Sequence, residues 1–563
     1  MRTDTTATEE QPAPDVTRAE PDPCPGRRAI ALAVVAGLAG MAIRVVAPAA
    51  WRLRWSLVWL AAGVLLYSCY LPLSRTQPAD SDGAAIALQA WDMLHGNLLL
   101  HGWRLSDVSF WTTELPQYML VELARGLNPD VVHVAAAITF TLVVLLAGAV
   151  GRGRQRGKED RTGLLLAAGI TAAPQLGTGV YVLLLDPDHT GTVIPVLAAW
   201  LLLDRAPRRW WVPPAVGLIL GWAMVADSMV AITGIAPLAA VAVIRCYRQA
   251  AIGQQPLRRM WFELALLAAA AGAAAAAKGT LILIAAHGGF RVWPIGSGLA
   301  SFGMLPGHLL LAAHGLLVLF GGDFFSHRLG LVSGLAMLHW VGLGLAAWAL
   351  CTAIRRLPGR DDLVSQLLAA GILANLAAYV CGLRAVDLHS TREIAAVLPL
   401  SAALAGRLLA PRLAAARMAP ALLVVGTGYL LCLGREIAAP PQPGGGQELA
   451  RWLESRQLTS GLAPYWQAES AMLASGGRIQ LAPMAASGLT VVRGGWESDA
   501  DWFDPRRHAA TFAVLPPGQA GVTYPWTYAV RAAFGQPARI YYAGGYTVLV
   551  WDRNLLSELK GSG

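Results

Sequence analysis

The 563-residue chain is 55% hydrophobic and only 14% charged, with a mean hydropathy of +0.48. A soluble protein carries about a quarter charged residues, so this composition excludes an ordinary globular enzyme and points to a polytopic helical membrane protein. The formal charge of +9 would suit nucleic acid, but the basic residues gather in short loops between apolar runs and read as topology signals.

In chain order, residues 1–27 are rich in Pro, Thr and acids and predict a disordered tail. They lack the basic start and cleavage site of a signal peptide. Apolar runs come next at approximately 29–49, 55–73, 131–150, 162–185, 190–204, 212–226, 229–245, 260–286, 330–354, 363–384, 393–410 and 418–434. Many reach the roughly 20 residues that cross a bilayer. The first either spans or lies in the interface with Arg44 snorkelling, and the shorter stretch 308–321 reads as interfacial or re-entrant. The expectation is an all-α polytopic membrane domain, residues 28–434, of about 11–12 transmembrane helices. The six cysteines are scattered without a CxxC, which supports neither a zinc site nor a disulfide framework.

Loops 151–161, 204–211, 245–259, 355–360 and 407–417 hold 18 Lys and Arg, whereas the opposite set holds seven. The positive-inside rule makes the first set cytoplasmic. Residues 74–130, 186–189, Asp227, 287–329 and 385–392 then fall on the extracytoplasmic side. After the last run, "AAPPQPGGGQ" (438–447) marks a linker. Within the remainder, 435–563, "ELARWLESRQL" reads as an amphipathic helix. "RIQLAPM", "LTVVRGG", "ATFAVLP" and "ARIYYAGGYTVLVW" read as strands. This predicts a small extracytoplasmic α/β C-terminal domain.

The first extracytoplasmic loop is long and patterned, which favours function over mere connection. Ala84 to His95 should form a helix along the membrane surface, and "ELPQYMLVELARGL" (114–127) a second, opened by Glu114 with Pro116 in its first turn. Asp82 falls at or next to the N-cap of the first helix, with Asp80 two residues before it. Asp is a preferred cap, and capping alone is one reading. One cap suffices, however, and a carboxylate near backbone N–H groups stays ionised and able to act as a base.

Three other places carry chemistry. "LLLDPDHTGT" sets Asp186, Asp188 and His189 in a tight turn, as a divalent metal site, an acceptor contact or a plain solvated turn. Asp227 and Lys278 lie in apolar runs, where ionisable residues pair with one another or line a polar cavity; Lys278 could attract an anion there. "GLRAVDLHSTREIAAVLPL" brings Arg384, His389 and Arg392 to headgroup level. There they could bind a phosphate, meet ordinary headgroups, or form an Arg392–Glu393 surface pair.

Taken together, these stretches resemble the GT-C glycosyltransferases, the superfamily of protein O-mannosyltransferases and aminoarabinose transferases. "SDGAAIALQAWDMLHGN" resembles the family's acidic loop opening, with Asp82 at the acid. "TTELPQY" sits where relatives carry a Pro-containing segment before a surface helix, and "STREIAAVLP" resembles their late "R-x-x-x-x-x-P" stretch, with Arg392 at the basic position. One departure is Gly83, where many relatives have a second acid; Asp80 is the substitute at hand. The resemblance covers most of residues 55–434 in layout, through short motifs. It implies inverting transfer of a sugar, mannose or another hexose or pentose, from a polyprenyl-phosphate donor to a protein, lipid or glycan acceptor. Asp82, with Asp80 as partner, would be the catalytic acid pair. Arg392, Arg384 and Lys278 would hold the donor phosphate, and Asp227, Glu114 and His389 would line the cavity. No cofactor is implied beyond a candidate divalent metal ion. A transporter or flippase of a lipid or glycoconjugate and a non-catalytic membrane assembly protein are the competing classes, the first disfavoured by the lack of internal repeats.

Overall fold

The computed structural model describes residues 54–154, 157–172, 177–185, 188–206, 208–252, 256–294, 298–326, 330–356, 362–516 and 525–561. The expected N-terminal tail and the apolar run 29–49 lie outside them. The chain divides into two compact units, 1–62 and 63–563. Of the first only the residues from Arg54 onward are described, and the second holds the other helices and both sheets.

Among the described residues, eight helices are long and apolar enough to cross a membrane: α1 (Arg54–Ser74), α4 (Asp130–Arg152), α8 (Ala231–Ala251), α9 (Arg258–Ala286), α11 (Leu331–Arg356), α12 (Leu363–Cys381), α13 (His389–Ala415) and α14 (Ala419–Ile437). Two apolar helices are shorter, α7 (Val212–Ala226) and α10 (Leu305–Leu319). The expected run 162–185 is interrupted: α5 (Lys158–Thr171) ends, and a short π-helical segment covers Tyr181–Leu185. α6 (Asp188–Arg205) carries Pro195 in its interior. Between α1 and α4 lie α2 (Ser81–Leu94), strand β1 (Trp103–Leu105) and α3 (Glu114–Arg125).

The two sets of loops separated by charge come together at two ends of the helix bundle. At the basic end the guanidinium of Arg407 on α13 donates to Asp204 at 2.9 Å, to Asp362 and to the Val150 carbonyl at 2.9 Å. It thereby ties four helices. At the other end β1 pairs in parallel with β2 (Arg291–Val292) and antiparallel with β6 (Ser498–Asp499). The first loop, the segment after α9 and the C-terminal region thus share one three-stranded sheet.

The C-terminal region is α/β. α15 (Gln447–Ser455), β3 (Ser460–Pro464), α16 (Tyr465–Ala474), β4 (Gln480–Ser487), β5 (Thr490–Arg493), β7 (Phe512–Leu515), α17 (Trp526–Phe534), β8 (Arg539–Ala543) and β9 (Tyr546–Val550) occur in order. Six strands form one sheet in the order β5-β4-β3-β7-β9-β8, with β3 parallel to both neighbours. The β8–β9 hairpin turns on Gly544 and Gly545, both at positive φ, which glycine adopts without steric cost. β3 is not expected from the sequence because "SGLAP" has little β-propensity. Its Gly461 is dictated by packing: a Cβ there would stand 2.5 Å from the Phe512 ring. The linker is fastened, since Gln442 and Gly445 N–H donate to the carbonyls of Arg75 (2.8 Å) and Ala79 (3.0 Å).

α2 is enclosed by protein, with Ala84, Ala85, Ile86, Ala87 and Ala90 all essentially inaccessible. Small residues on every face let α3, α4 and α16 close around it. α3 keeps the surface pattern, with Leu120 and Leu123 exposed.

Arg407 and Asp204 are both buried, and removing one partner of a buried pair leaves an uncompensated charge. Arg407→Ala is expected to lower stability by about 3–5 kcal/mol, read as a fall in apparent Tm in detergent. Arg478→Ala at the exposed Arg478–Glu454 pair should change it by no more than about 1 kcal/mol.

Candidate functional site

α2 begins at Ser81, three residues before the expected Ala84, and this separates the two aspartates. Asp80, not Asp82, is the N-cap: its carboxylate accepts the Gly83 N–H at 3.1 Å. The Tyr181 hydroxyl donates to its other oxygen at 2.6 Å. Burial, and next the neighbouring charge of Asp82, push the Asp80 carboxyl above its usual range. Asp82 sits in the first turn and turns to a different set of partners.

Arg392 at the foot of α13 reaches Asp82 at 3.2 Å, across 310 residues of sequence. From the C-terminal region the Tyr465 hydroxyl donates to the other Asp82 oxygen at 2.8 Å, and Glu497 lies 3.4 Å from the same hydroxyl. Burial, then the charges of Glu497 and Asp82, hold the Tyr465 phenol well above its usual range, so it remains a donor. One turn along α16, Glu469 is fully buried, and burial followed by the Glu497 charge raises its carboxyl well above the usual range. A small cleft is lined by Asp82, Ile86, Ser106, Asp107, Arg392 and Glu497, among others.

Gly83 has a packing reason. A Cβ at this position would lie 2.7 Å from Cγ1 of Val132 on α4, so no side chain fits unless the helices part. The acid nearest in sequence is Asp80, two residues before Asp82 and committed to the N-cap.

A second charged chain runs beside the first. Arg384 is ion-paired with Asp107 and, at 3.3 Å, with Glu393. Despite the desolvation that opposes its charge, Asp107 and Glu393 keep the Arg384 guanidinium firmly protonated. Glu393 lies 3.5 Å from His189 Nε2, and His189 Nδ1 lies 2.9 Å from Asp227. Asp227 also accepts from the Thr192 hydroxyl and, at 2.7 Å, from the Met229 N–H. Asp227 therefore pairs with His189 and not with Lys278, the partner its apolar setting suggests. Lys278 is exposed on α9 and makes no hydrogen bond or ion pair with any described residue. Within ion-pair distance Arg392 meets Asp82 and Glu393 meets Arg384, while the Arg392 charge still acts on Glu393.

The remaining candidates fall nearby or elsewhere. His389 packs edge-on to Tyr181 with ring centroids 4.9 Å apart. Glu114 is buried and accepts from Thr113, with its Oε1 against Gly191 of α6, where a Cβ would collide at 1.9 Å. Asp186 lies outside the described residues, as does the side chain of Asp188. Among the described residues no group of three or more His, Cys, Asp or Glu is arranged to hold a metal ion, and His189 faces two carboxylates. Sequence reasoning misses Tyr465, Glu497 and Asp107, which lie in segments legible only as helix, strand or loop. Tyr465 and Asp107 meet partners 383 and 277 residues away, and Glu497 joins them through Tyr465, so no local signal marks them.

Fold and site together describe a polytopic membrane protein in which a buried loop helix carries a carboxylate against an arginine from a late span. The fold is similar to that of solved GT-C membrane proteins. Among solved structures, ArnT from Cupriavidus metallidurans bound to undecaprenyl phosphate matches over 90% of this chain and 99% of its own, at 12% identity and a TM-score of 0.52. The Archaeoglobus fulgidus oligosaccharyltransferase tethered with an acceptor peptide matches 81% of this chain and 68% of its own, at 12% identity and a TM-score of 0.45. No family model and no curated protein matches the sequence.

β6, which begins directly after Glu497, offers a pH test. Burial pushes the Asp499 carboxyl up from 3.8 to about 6. The folded protein holds this proton more tightly than the unfolded chain, so the contribution is full below about pH 4 and is lost as pH rises through about 6. Stability should fall by on the order of 2 kcal/mol across that window, and Asp499→Asn should flatten the slope of apparent Tm against pH.

Proposed function

We propose that the protein is a membrane glycosyltransferase that moves a sugar from a polyprenyl-phosphate donor to an acceptor on the extracytoplasmic side, with inversion. The observation that carries this reading is Asp82, held between Arg392 and Tyr465 at the mouth of a cleft. The GT-C fold, and a neighbour whose structure contains undecaprenyl phosphate, support it.

In the reaction, Asp82 takes the proton of an acceptor hydroxyl, or orients an acceptor amine, as its heteroatom bonds to the anomeric carbon. The bond from that carbon to the phosphate oxygen breaks, and the lipid phosphate leaves with the electron pair. Its charge needs a cation close by. Arg392 fills that role, with Arg384 next to it and anchored by Asp107 and Glu393. Lys278 has no contact with this group and is not assigned a part. Tyr465 holds the Asp82 carboxylate in one orientation and leaves its second oxygen toward Arg392 and the cleft. The charge asymmetry of the loops supports a C-terminal domain on the extracytoplasmic face.

The test is transfer from a polyprenyl-phosphate hexose or pentose by the protein in liposomes. Asp82→Asn should reduce turnover by about 10²–10⁴-fold, the usual weight of a general base, with insertion and Tm retained. Arg392→Ala should weaken donor binding by at least about tenfold, as loss of a charge-assisted hydrogen bond implies. Retained transfer by Asp82→Asn would remove Asp82 from the chemistry.

A further inference from the structure

A second cleft, of about 360 Å³, opens beside the first turn of α2 and shares no lining residue with the Asp82 cleft. Asp80 and Ser81 form part of it, while Asp82, the next residue, faces the other way. The volume lies at the low end of the range for small-molecule sites, roughly 300–1,000 Å³.

Three aromatic side chains from distant parts of the chain line this cleft: Tyr181, Trp466 and Tyr546. Trp466 is 54% exposed, a large apolar ring facing solvent at the cleft. Its position is nevertheless fixed, because its backbone carbonyl accepts the hydroxyls of Ser81 and Ser470, both at 2.7 Å. The polar lining is Asp80, Gln77 and the two serines, with no Lys or Arg. Gly445 and Gly446 complete the wall; a Cβ on them would stand 2.5 Å from the Ala79 carbonyl and 2.6 Å from the Ala471 nitrogen.

One exposed indole and two part-buried phenol rings beside a carboxylate and hydroxyls match a ligand that presents C–H faces and hydroxyl edges, which is the chemistry of a sugar ring. Aromatic rings contribute apolar contact at small entropic cost, while the few polar groups fix orientation. The acidic, cation-free lining opposes a phosphorylated or carboxylated ligand. We propose that this cleft binds a neutral saccharide, which, on the glycosyltransferase reading above, is a part of the acceptor remote from the hydroxyl that reacts at Asp82.

The experiment is direct binding without donor, by saturation-transfer NMR on the full chain in detergent micelles. The probes are methyl α-mannoside, methyl β-galactoside, methyl β-glucoside and a neutral Ser/Thr peptide. At least one glycoside should bind, and Trp466→Ala should weaken it at least about tenfold, the size expected when an aromatic contact is truncated at a binding site. Trp466→Phe, which keeps a ring, should recover part of the affinity. Binding of the peptide alone, binding of no glycoside, or glycoside affinity unmoved by Trp466→Ala would each overturn the saccharide assignment. Because no donor is present, these outcomes are independent of whether Asp82→Asn abolishes transfer. A protein that transfers sugar but binds no glycoside here refutes only the cleft, and one that binds glycoside without transfer refutes only the reaction.

Discussion

The carboxylate of Asp82 is held from two directions at once, by Arg392 from a membrane helix and by Tyr465 from the C-terminal region. An ionised carboxylate within a part-buried cleft requires a nearby cation and a donor to remain charged. Here those groups come from two segments far apart in the chain. The site therefore exists only when α13 and α16 are both docked on α2. The small, fully buried residues of α2 and the absence of a side chain at Gly83 make that docking sterically feasible. Chemistry and packing thus impose the same requirement on one helical turn.

The same constraint explains why the C-terminal region is fastened so closely. Its linker is hydrogen-bonded to residues 75 and 79, immediately before α2, and β6 completes a sheet with β1 and β2. Had the linker been free, Tyr465 and Glu497 would sample many positions, and the orientation of Asp82 would be lost with them. At the opposite end Arg407 performs the mechanical counterpart, joining helices through two carboxylates and a carbonyl.

The charged residues divide between the two ends by role as well as by topology. At the basic end Arg407 is the cation drawn inward to join helices. At the other end Arg384 and Arg392 are each committed to a carboxylate near the first loop helix. The path Asp107–Arg384–Glu393–His189–Asp227 runs from that loop to the end of α7, so the floor of the site is cross-linked. Arg392 and Asp82 are the pair that borders the cleft.

Much of the fold was legible in the sequence. Apolar run length located every span described, except where 162–185 breaks and where short helices fall below spanning length. Loop charge sorted the connections into two groups that the structure does bring together. Alternating strands exposed most of the C-terminal sheet, and the cap-rich "ADSDG" marked the carboxylates. These are local properties, written into a few neighbouring residues by hydropathy, propensity and capping. Partner choice was not legible. That Asp80 rather than Asp82 is the cap, that Asp227 pairs with His189 instead of Lys278, that Gly83 yields to Val132, and that Tyr465 reaches Asp82 all depend on close contacts between segments far apart in sequence. Such contacts are decided at the scale of single ångströms by how the helices pack, and only the tertiary structure fixes them.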